Sequence, residues 1–145
     1  MSLTLRIFEK LKNQNGIFYT SFTLGNLFLI KNDYKQAIQY FEECKNSKLF
    51  KIHHPLLDTL SNLYRKTKDY EKSININMLK IENLKSKSIK AETHIQISND
   101  YKLLKNYSNA KKYLVKALAL LDDREKRRKI LSEISSLKLK IKNDM

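Results

Sequence analysis

Three stretches of the chain repeat one another at long range, and their spacing constrains the fold more than any other feature. They read LGNLFLIKNDYKQAIQYF, LSNLYRKTKDYEKSININ and ISNDYKLLKNYSNAKKYL, and they begin at Leu24, Leu60 and Ile97. The spacing is therefore 36 and then 37 residues. Repeats of this length are typical of stacked helical units, in which each unit buries its apolar face only against its neighbours. The sequence thus predicts a repeat array.

The composition favours an all-helical protein. The 145 residues include only two Gly and one Pro, which is little turn chemistry for an all-β protein, and 41% of them are hydrophobic, as in a folded chain. The single cysteine, Cys44, excludes an internal disulfide and a multi-cysteine zinc site, and its place in an apolar stripe predicts a core residue. No apolar run approaches the roughly 18–20 residues of a membrane span, and no secretory segment is present. We therefore expect a cytoplasmic location.

Each stretch predicts a helix, a short turn and a second helix. The turns end at Asp33, Asp69 and Asn106, each directly before a Tyr, and these side chains are suited to cap the free N–H groups of the next helix. Pro55 suits the first turn of a helix. The predicted apolar faces of the first helices are Phe18, Phe22, Leu24, Leu27 and Phe28, then Leu56, Leu57, Leu60, Leu63 and Tyr64, then Ile95, Ile97, Tyr101 and Leu104. Those of the second helices are Tyr34, Ala37, Ile38, Phe41 and Cys44, then Tyr70, Ile74, Asn77, Met78 and Ile81, then Tyr107, Ala110, Leu114, Ala117 and Leu121.

These residues resemble the tetratricopeptide repeat, a helix–turn–helix unit of about 34 residues. The resemblance rests on the pairs Leu24-Gly25, Leu60-Ser61 and Ile97-Ser98, on the aromatic residues Phe28, Tyr64, Tyr101, Tyr34, Tyr70 and Tyr107, and on the small residues Ala37, Ser73 and Ala110. The middle repeat is degenerate, because Asn77 replaces a large apolar residue and Lys80 a small one. The early Trp of the family is absent and its closing Pro is missing or displaced to Pro55.

The resemblance implies an all-α fold, a right-handed α-solenoid of stacked antiparallel helix pairs. We expect a single domain over 1–145, with a half-repeat at 1–15, repeats at 17–53, 54–90 and 91–122, and a capping helix at 123–143. In the half-repeat, Ile7, Phe8 and Leu11 are predicted to face inward, so the segment is either an N-terminal lid or the remainder of a longer protein. The stripe Ile130, Ile134, Leu137 and Ile141 favours capping of the last repeat, with a dimer contact as the alternative.

No residues of the sequence form a catalytic constellation or a cofactor motif, so we expect a protein that is not an enzyme and has no cofactor. His53, His54 and Asp58 are the nearest approach to a metal site. Two adjacent histidines do not both face one ion easily from a helix, and no further ligand is evident. We therefore predict no metal site, and exposed imidazoles in a loop between repeats.

The candidate binding residues lie on the first helices. Asn26, Asn62 and Asn99 follow the small residue in all three repeats, and resemblance to peptide-binding tetratricopeptide proteins implies that such amides grip a peptide backbone. An amide offers one acceptor and two donors, which match a peptide group. The alternative is that these Asn residues are merely solvated. The rest of the predicted peptide site has an apolar end and a basic end, formed by Tyr19, Phe22, Arg65, Lys66 and Lys102.

The resulting prediction is a protein- or peptide-binding scaffold that holds an extended segment in a concave groove. Phe22 stands where the carboxylate clamp of chaperone-tail receptors has a lysine, so we do not predict chaperone binding. Lys-rich arrays with long repeats also resemble the peptide-sensing domains of Gram-positive regulators, which suggests a fragment or a relative of such a regulator.

Two other functions compete with this prediction. The net charge of +14 and the basic C-terminal third favour a nucleic-acid partner, through Lys111, Lys112, Lys116, Arg124, Lys126, Arg127, Arg128 and Lys129. An AT-rich genome encodes many Lys and Asn residues regardless of function, which explains the same charge without a nucleic-acid partner. In addition, most aromatic residues are at predicted packing positions, so few remain to stack on bases. The third function is a structural subunit that dimerises through the C-terminal helix.

Overall fold

A computed structural model describes residues 2–10 and 14–144, with the side chains of 8–10 excepted. The described residues form α-helices and two short 3-10 turns, without a strand. The helices are α1 (Leu3–Lys10), α2 (Gln14–Ile30), α3 (Tyr34–Glu43), α4 (His54–Lys66), α5 (Tyr70–Glu82), α6 (Lys87–Leu103), α7 (Tyr107–Leu120) and α8 (Arg124–Asn143). The all-α prediction is confirmed.

The chain divides into two compact units, unit 1 (Met1–Lys68) and unit 2 (Asp69–Met145). Repeat 1 lies within unit 1 and repeat 3 within unit 2. Repeat 2 is divided between them, because α4 belongs to unit 1 and α5 to unit 2. The single domain and the bounds of its repeats stay predictions.

Unit 1 is packed around aromatic and aliphatic side chains. Phe18 of α2, Phe41 of α3 and the predicted apolar residues of α4 are all buried. Gly25 is buried against Phe41, and a Cβ atom built on Gly25 would lie 2.3 Å from Cε1 of that ring. The absence of a side chain at Gly25 therefore leaves room for the Phe41 ring.

Two expectations for unit 1 were wrong. Leu27 is 44% exposed, because the buried positions of α2 follow Phe18, Ser21 and Gly25, which leaves Leu27 on the opposite side. Among the side chains described on α1, Leu5 is buried and Ile7 is exposed. The side chain of Phe8 and all of Leu11 lie outside the described residues.

Unit 2 has its own apolar core, formed where α6, α7 and α8 meet. Its buried members are Ala91, Ala110, Leu114, Ala117, Leu121, Ile130, Ile134 and Leu137. Three of the four residues of the predicted α8 stripe are thus in this core, and Ile141 is half-buried. Leu104 was expected in the apolar face but is exposed, because α6 ends at Leu103 and Leu104 lies past the packed turn.

The turns that follow α2, α4 and α6 share one backbone conformation. Asn32, Lys68 and Lys105 have φ values of 59°, 62° and 59°, in the left-handed region. In the first turn, the N–H of Asp33 donates to the carbonyl of Phe28, which is the pattern of a Schellman helix end. Asp33, Asp69 and Asn106 then accept the N–H of the residue three positions on, at 3.2, 3.4 and 3.2 Å. The three predicted caps are confirmed.

Candidate functional site

The three Asn residues that the sequence singles out are displayed at the surface. Asn26 on α2 is half-buried, and Asn62 on α4 and Asn99 on α6 are exposed. Each follows a buried small residue, and one step along a helix turns a side chain by about 100°, away from the packed face. Within the described part of the chain, no hydrogen-bond partner occupies these three amides. Their donors and acceptors are therefore available to a ligand.

The predicted basic residues differ in how far they are engaged. Lys66 places its Nζ atom 5.0 Å from the centre of the Tyr34 ring, in a cation–π contact that leaves the charge exposed. Arg65 is half-buried. Lys102 donates to Oε2 of Glu133 at 2.6 Å, so an acidic residue of α8 neutralises its charge. Lys102 is therefore less suited than Lys66 to bind a carboxylate. The repeat pattern did not indicate the pairing of Lys102 with Glu133.

The two predicted apolar residues have different environments. Tyr19 is 56% exposed. Phe22 is half-buried in a cluster of rings, with centroids 6.2 Å from Phe18, 6.1 Å from Phe41 and 4.8 Å from His53. Phe22 therefore belongs to the packing of unit 1, and Tyr19 is the residue that remains accessible.

His53 has a structural role that the sequence reasoning missed. Its Nδ1 atom accepts the N–H of Leu56 at 3.2 Å and so caps α4, while its ring packs 5.2 Å from Phe18. A polar residue two positions before Pro55, which stands in the first turn of α4, was the available signal. The expectation of exposed imidazoles was wrong, since His53 and His54 are both half-buried. In the described residues, no three His, Cys, Asp or Glu side chains lie close enough to hold a metal ion.

Cys44 is the core residue that the sequence predicted. Its side chain is fully buried, and Sγ lies 3.5 Å from the carbonyl oxygen of Phe18, to which it donates. Burial raises the pKa of this thiol to about 12, with a smaller contribution from the nearby Glu43 carboxylate. The thiol is therefore protonated at neutral pH and is a poor nucleophile.

The basic C-terminal third includes residues with structural roles. Arg127 donates from Nη1 to the carbonyl oxygens of Leu118 and Leu121, at 2.6 and 2.9 Å, and so satisfies the end of α7. Lys129 pairs with Glu125 at 3.8 Å on the surface of α8. Among the described side chains, the only exposed aromatic residue is Tyr19, so few aromatic rings are accessible for stacking on bases.

The helices of the described segments include none that combines the length and apolar character needed to cross a bilayer.

The comparisons with known proteins agree with the repeat pattern. The family model described as tetratricopeptide repeat matches residues 20–48 and 91–120, within predicted repeats 1 and 3. No curated protein matches the chain.

Solved structures share its fold, and two of them are similar to this chain over most of its length. The N-terminal domain of stress-induced protein-1 (STI-1) from C. elegans is similar with a TM-score of 0.63 and 14% identity, over 87% of this chain and 98% of that one. The TPR2AB domain of yeast Sti1, solved in complex with pHSP90, is similar with a TM-score of 0.59 and 15% identity, over 90% of this chain and 49% of that one. The chain thus spans about half of the Sti1 fragment.

Proposed function

We propose that this chain, which carries tetratricopeptide repeats, is a non-catalytic module that binds an extended peptide or partner segment. The observation that carries the proposal is the triplet Asn26, Asn62 and Asn99, at one register position on α2, α4 and α6 and without partners in the described part of the chain. Each amide matches a peptide group irrespective of the ligand's side chains. Since each hydrogen bond contributes only about 1 kcal/mol net, affinity requires several together.

The side chains near these amides suggest the ligand's chemistry. Tyr19 offers an accessible ring, and Lys66 and Arg65 supply positive charge in the same unit. This favours a ligand with a hydrophobic residue and an acidic or C-terminal carboxylate. A short signalling peptide meets this description, so the proposal also fits a fragment or relative of a peptide-sensing regulator.

The similarity to yeast Sti1 does not extend the proposal to a chaperone tail. That structure is a complex with pHSP90, but the identity of 15% supports only the fold. The lysine that a carboxylate clamp needs in the first repeat is replaced by Phe22, whose ring packs against Phe18 and Phe41. We therefore expect a different peptide to be bound.

The test compares two double variants in a screen against an array of immobilised peptides. Asn62→Ala with Asn99→Ala should lower binding to the captured peptides that carry a hydrophobic residue and a C-terminal carboxylate, by about tenfold or more, because two backbone contacts are lost. Asn75→Ala with Asn15→Ala removes two exposed amides elsewhere and should change binding by less than about twofold. Circular dichroism should show equal helicity. Equal capture by both double variants would overturn the proposal.

The competing functions are tested in the same preparation. Nucleic-acid binding lacks a stacking surface, because Tyr19 is the one exposed aromatic side chain described. Titration with RNA and duplex DNA at two salt concentrations should show no binding near physiological salt. Dimerisation through α8 stays a prediction. Comparing the size of the chain with that of Leu131→Glu, Leu139→Glu tests it, because these two apolar residues of α8 are exposed and lie outside the core of unit 2.

A further inference from the structure

The outward face of α7 carries an apolar residue among lysines. The inward face of this helix is buried through Ala110, Leu114 and Ala117. The opposite side of α7 is formed by residues at helical spacing from Ser108, which are Ser108, Lys111, Lys112, Val115 and Lys116. Val115 is 46% exposed there. A single exposed valine is ordinary, so its significance depends on the shape of the surface around it.

Val115 lies in a cleft between α7 and the end of α8. The cleft has two adjoining parts, which share Ser108 and Ile141. The part that contains Val115 has a volume of about 530 Å³, and the other part has a volume of about 420 Å³. In one part, Val115 and the half-buried Ile141 form an aliphatic floor with Lys111, Lys112 and Lys116 at its edge. The other part continues past Tyr107 to Asp144. We call these two parts together the Val115 groove. Both parts are shallow and open to solvent.

The lysines of the Val115 groove have no acidic partner among the described residues. Lys116 places Nζ 4.8 Å from the centre of the Tyr113 ring, and Lys140 places Nζ 5.2 Å from that of Tyr107, so both contacts keep the positive charge. The groove therefore combines aliphatic side chains with positive charge, because Lys105, Lys111, Lys112 and Lys116 outnumber its one carboxylate, Asp144. Such a surface is complementary to a negative partner.

We propose that the Val115 groove binds an acidic peptide segment of a partner protein, with an aliphatic side chain on Val115 and Ile141 and flanking carboxylates on the lysines. The aliphatic floor favours this occupant over RNA, because the one aromatic residue that lines the groove, Tyr107, is half-buried and already has the Lys140 ammonium over its ring. A bilayer is a poorer fit, because Val115 is the only exposed large apolar side chain among the residues that line the groove. This surface is separate from the Asn residues of the proposed function.

The probe is a short fluorescein-labelled peptide of alternating Glu and Leu, titrated with the full chain and followed by fluorescence anisotropy. Lys112→Glu with Lys116→Glu should weaken its binding by about tenfold or more, and Val115→Asn by about threefold. Lys85→Glu with Lys87→Glu makes the same charge change at exposed positions of the same unit and should alter binding by less than about twofold. The Asn62→Ala, Asn99→Ala variant should bind this peptide normally, which separates this proposal from the proposed function.

Changes in the probe test the proposal without any variant of the protein. Replacing Glu by Gln in the peptide, or Leu by Ser, should each remove most of the binding. Equal binding by the Ser peptide, or equal loss in the two double-lysine variants, would overturn the proposal. It would also be overturned if RNA or phosphatidylserine vesicles bound through Lys112 and Lys116 while the peptide did not bind.

Discussion

The two units of the molecule bury different kinds of side chain. In the described part of unit 1, the buried polar residues are the serines Ser21, Ser47 and Ser61. Unit 2 buries a carboxylate, an ammonium group, an imidazole and an amide as well, on Asp100, Lys80, His94 and Asn77. Buried polar groups stabilise a fold only when they are paired. Unit 1 therefore depends mainly on close packing, and unit 2 depends also on polar contacts.

The difference begins in the degenerate middle repeat. Phe41 and Leu114 are fully buried at one register position of repeats 1 and 3, and Asn77 is fully buried at the same position of repeat 2. Neither polar atom of the Asn77 side chain has a hydrogen-bond partner among the residues that the structure describes, and a buried amide without partners costs about 1–3 kcal/mol. Ser73 of the same helix is paired, since its hydroxyl donates to Oδ2 of Asp100 at 2.7 Å. The middle repeat thus contains both satisfied and unsatisfied buried polar groups.

The largest expected effect tests the packing of unit 1. Gly25→Ala adds a methyl group where the ring atoms of Phe41 lie 2.3–2.8 Å away, and Phe41 is fully buried. We expect the free energy of unfolding to fall by about 2–3 kcal/mol, even after the gain in helix propensity. Urea unfolding followed by circular dichroism measures this. The double variant with Phe41→Leu, which resembles the Ser98 and Leu114 pair of unit 2, should recover about half of the loss, and no recovery would contradict the role of the ring.

A smaller effect separates the hydroxyl contacts of the two units. Ser73→Ala removes a partner from the fully buried Asp100 and should lower the free energy of unfolding by about 1.5 kcal/mol. Ser21→Ala is the matched variant in unit 1, where the hydroxyl donates to the half-buried Glu43 at 3.3 Å, and about 0.5 kcal/mol is expected. The same urea titration compares them. If Ser21→Ala is the more harmful change, the contrast between the units is wrong.

The smallest effect depends on pH and is confined to unit 2. Burial, with the nearby Lys116 and Lys90, lowers the pKa of His94 below its ordinary value of 6.5. The unfolded chain therefore takes up a proton at higher pH than the folded chain does, so stability is lost as the pH falls below about 6.5. We expect the melting temperature to fall between about pH 7.5 and pH 5.5, and to fall less in His94→Phe. Equal slopes for the two proteins would exclude His94 as the cause.

Much of the fold follows from the sequence because its signals are local. The caps at Asp33, Asp69 and Asn106 depend on a side chain and the N–H group three residues on. The pairing of Lys102 with Glu133 and of Ser73 with Asp100 joins different helices, and periodicity carries no information on such pairs. The same limit applies to the candidate site. The repeat register predicts that each Asn side chain lies away from the packed face of its helix. It does not predict that Lys102 pairs with Glu133, or that the Phe22 ring packs against Phe18 and Phe41.

The burial of Cys44 gives unit 1 a chemical reporter. The chain has no tryptophan and a single cysteine, so ordinary fluorescence offers little and a thiol reagent reacts at one place. With the thiol buried and its pKa near 12, reaction requires that unit 1 open. When closing is faster than labelling, the ratio of the observed rate to that of a free thiol equals the equilibrium constant for opening. Alkylation by iodoacetamide would thus measure the opening equilibrium of one half of the molecule without reporting on the other.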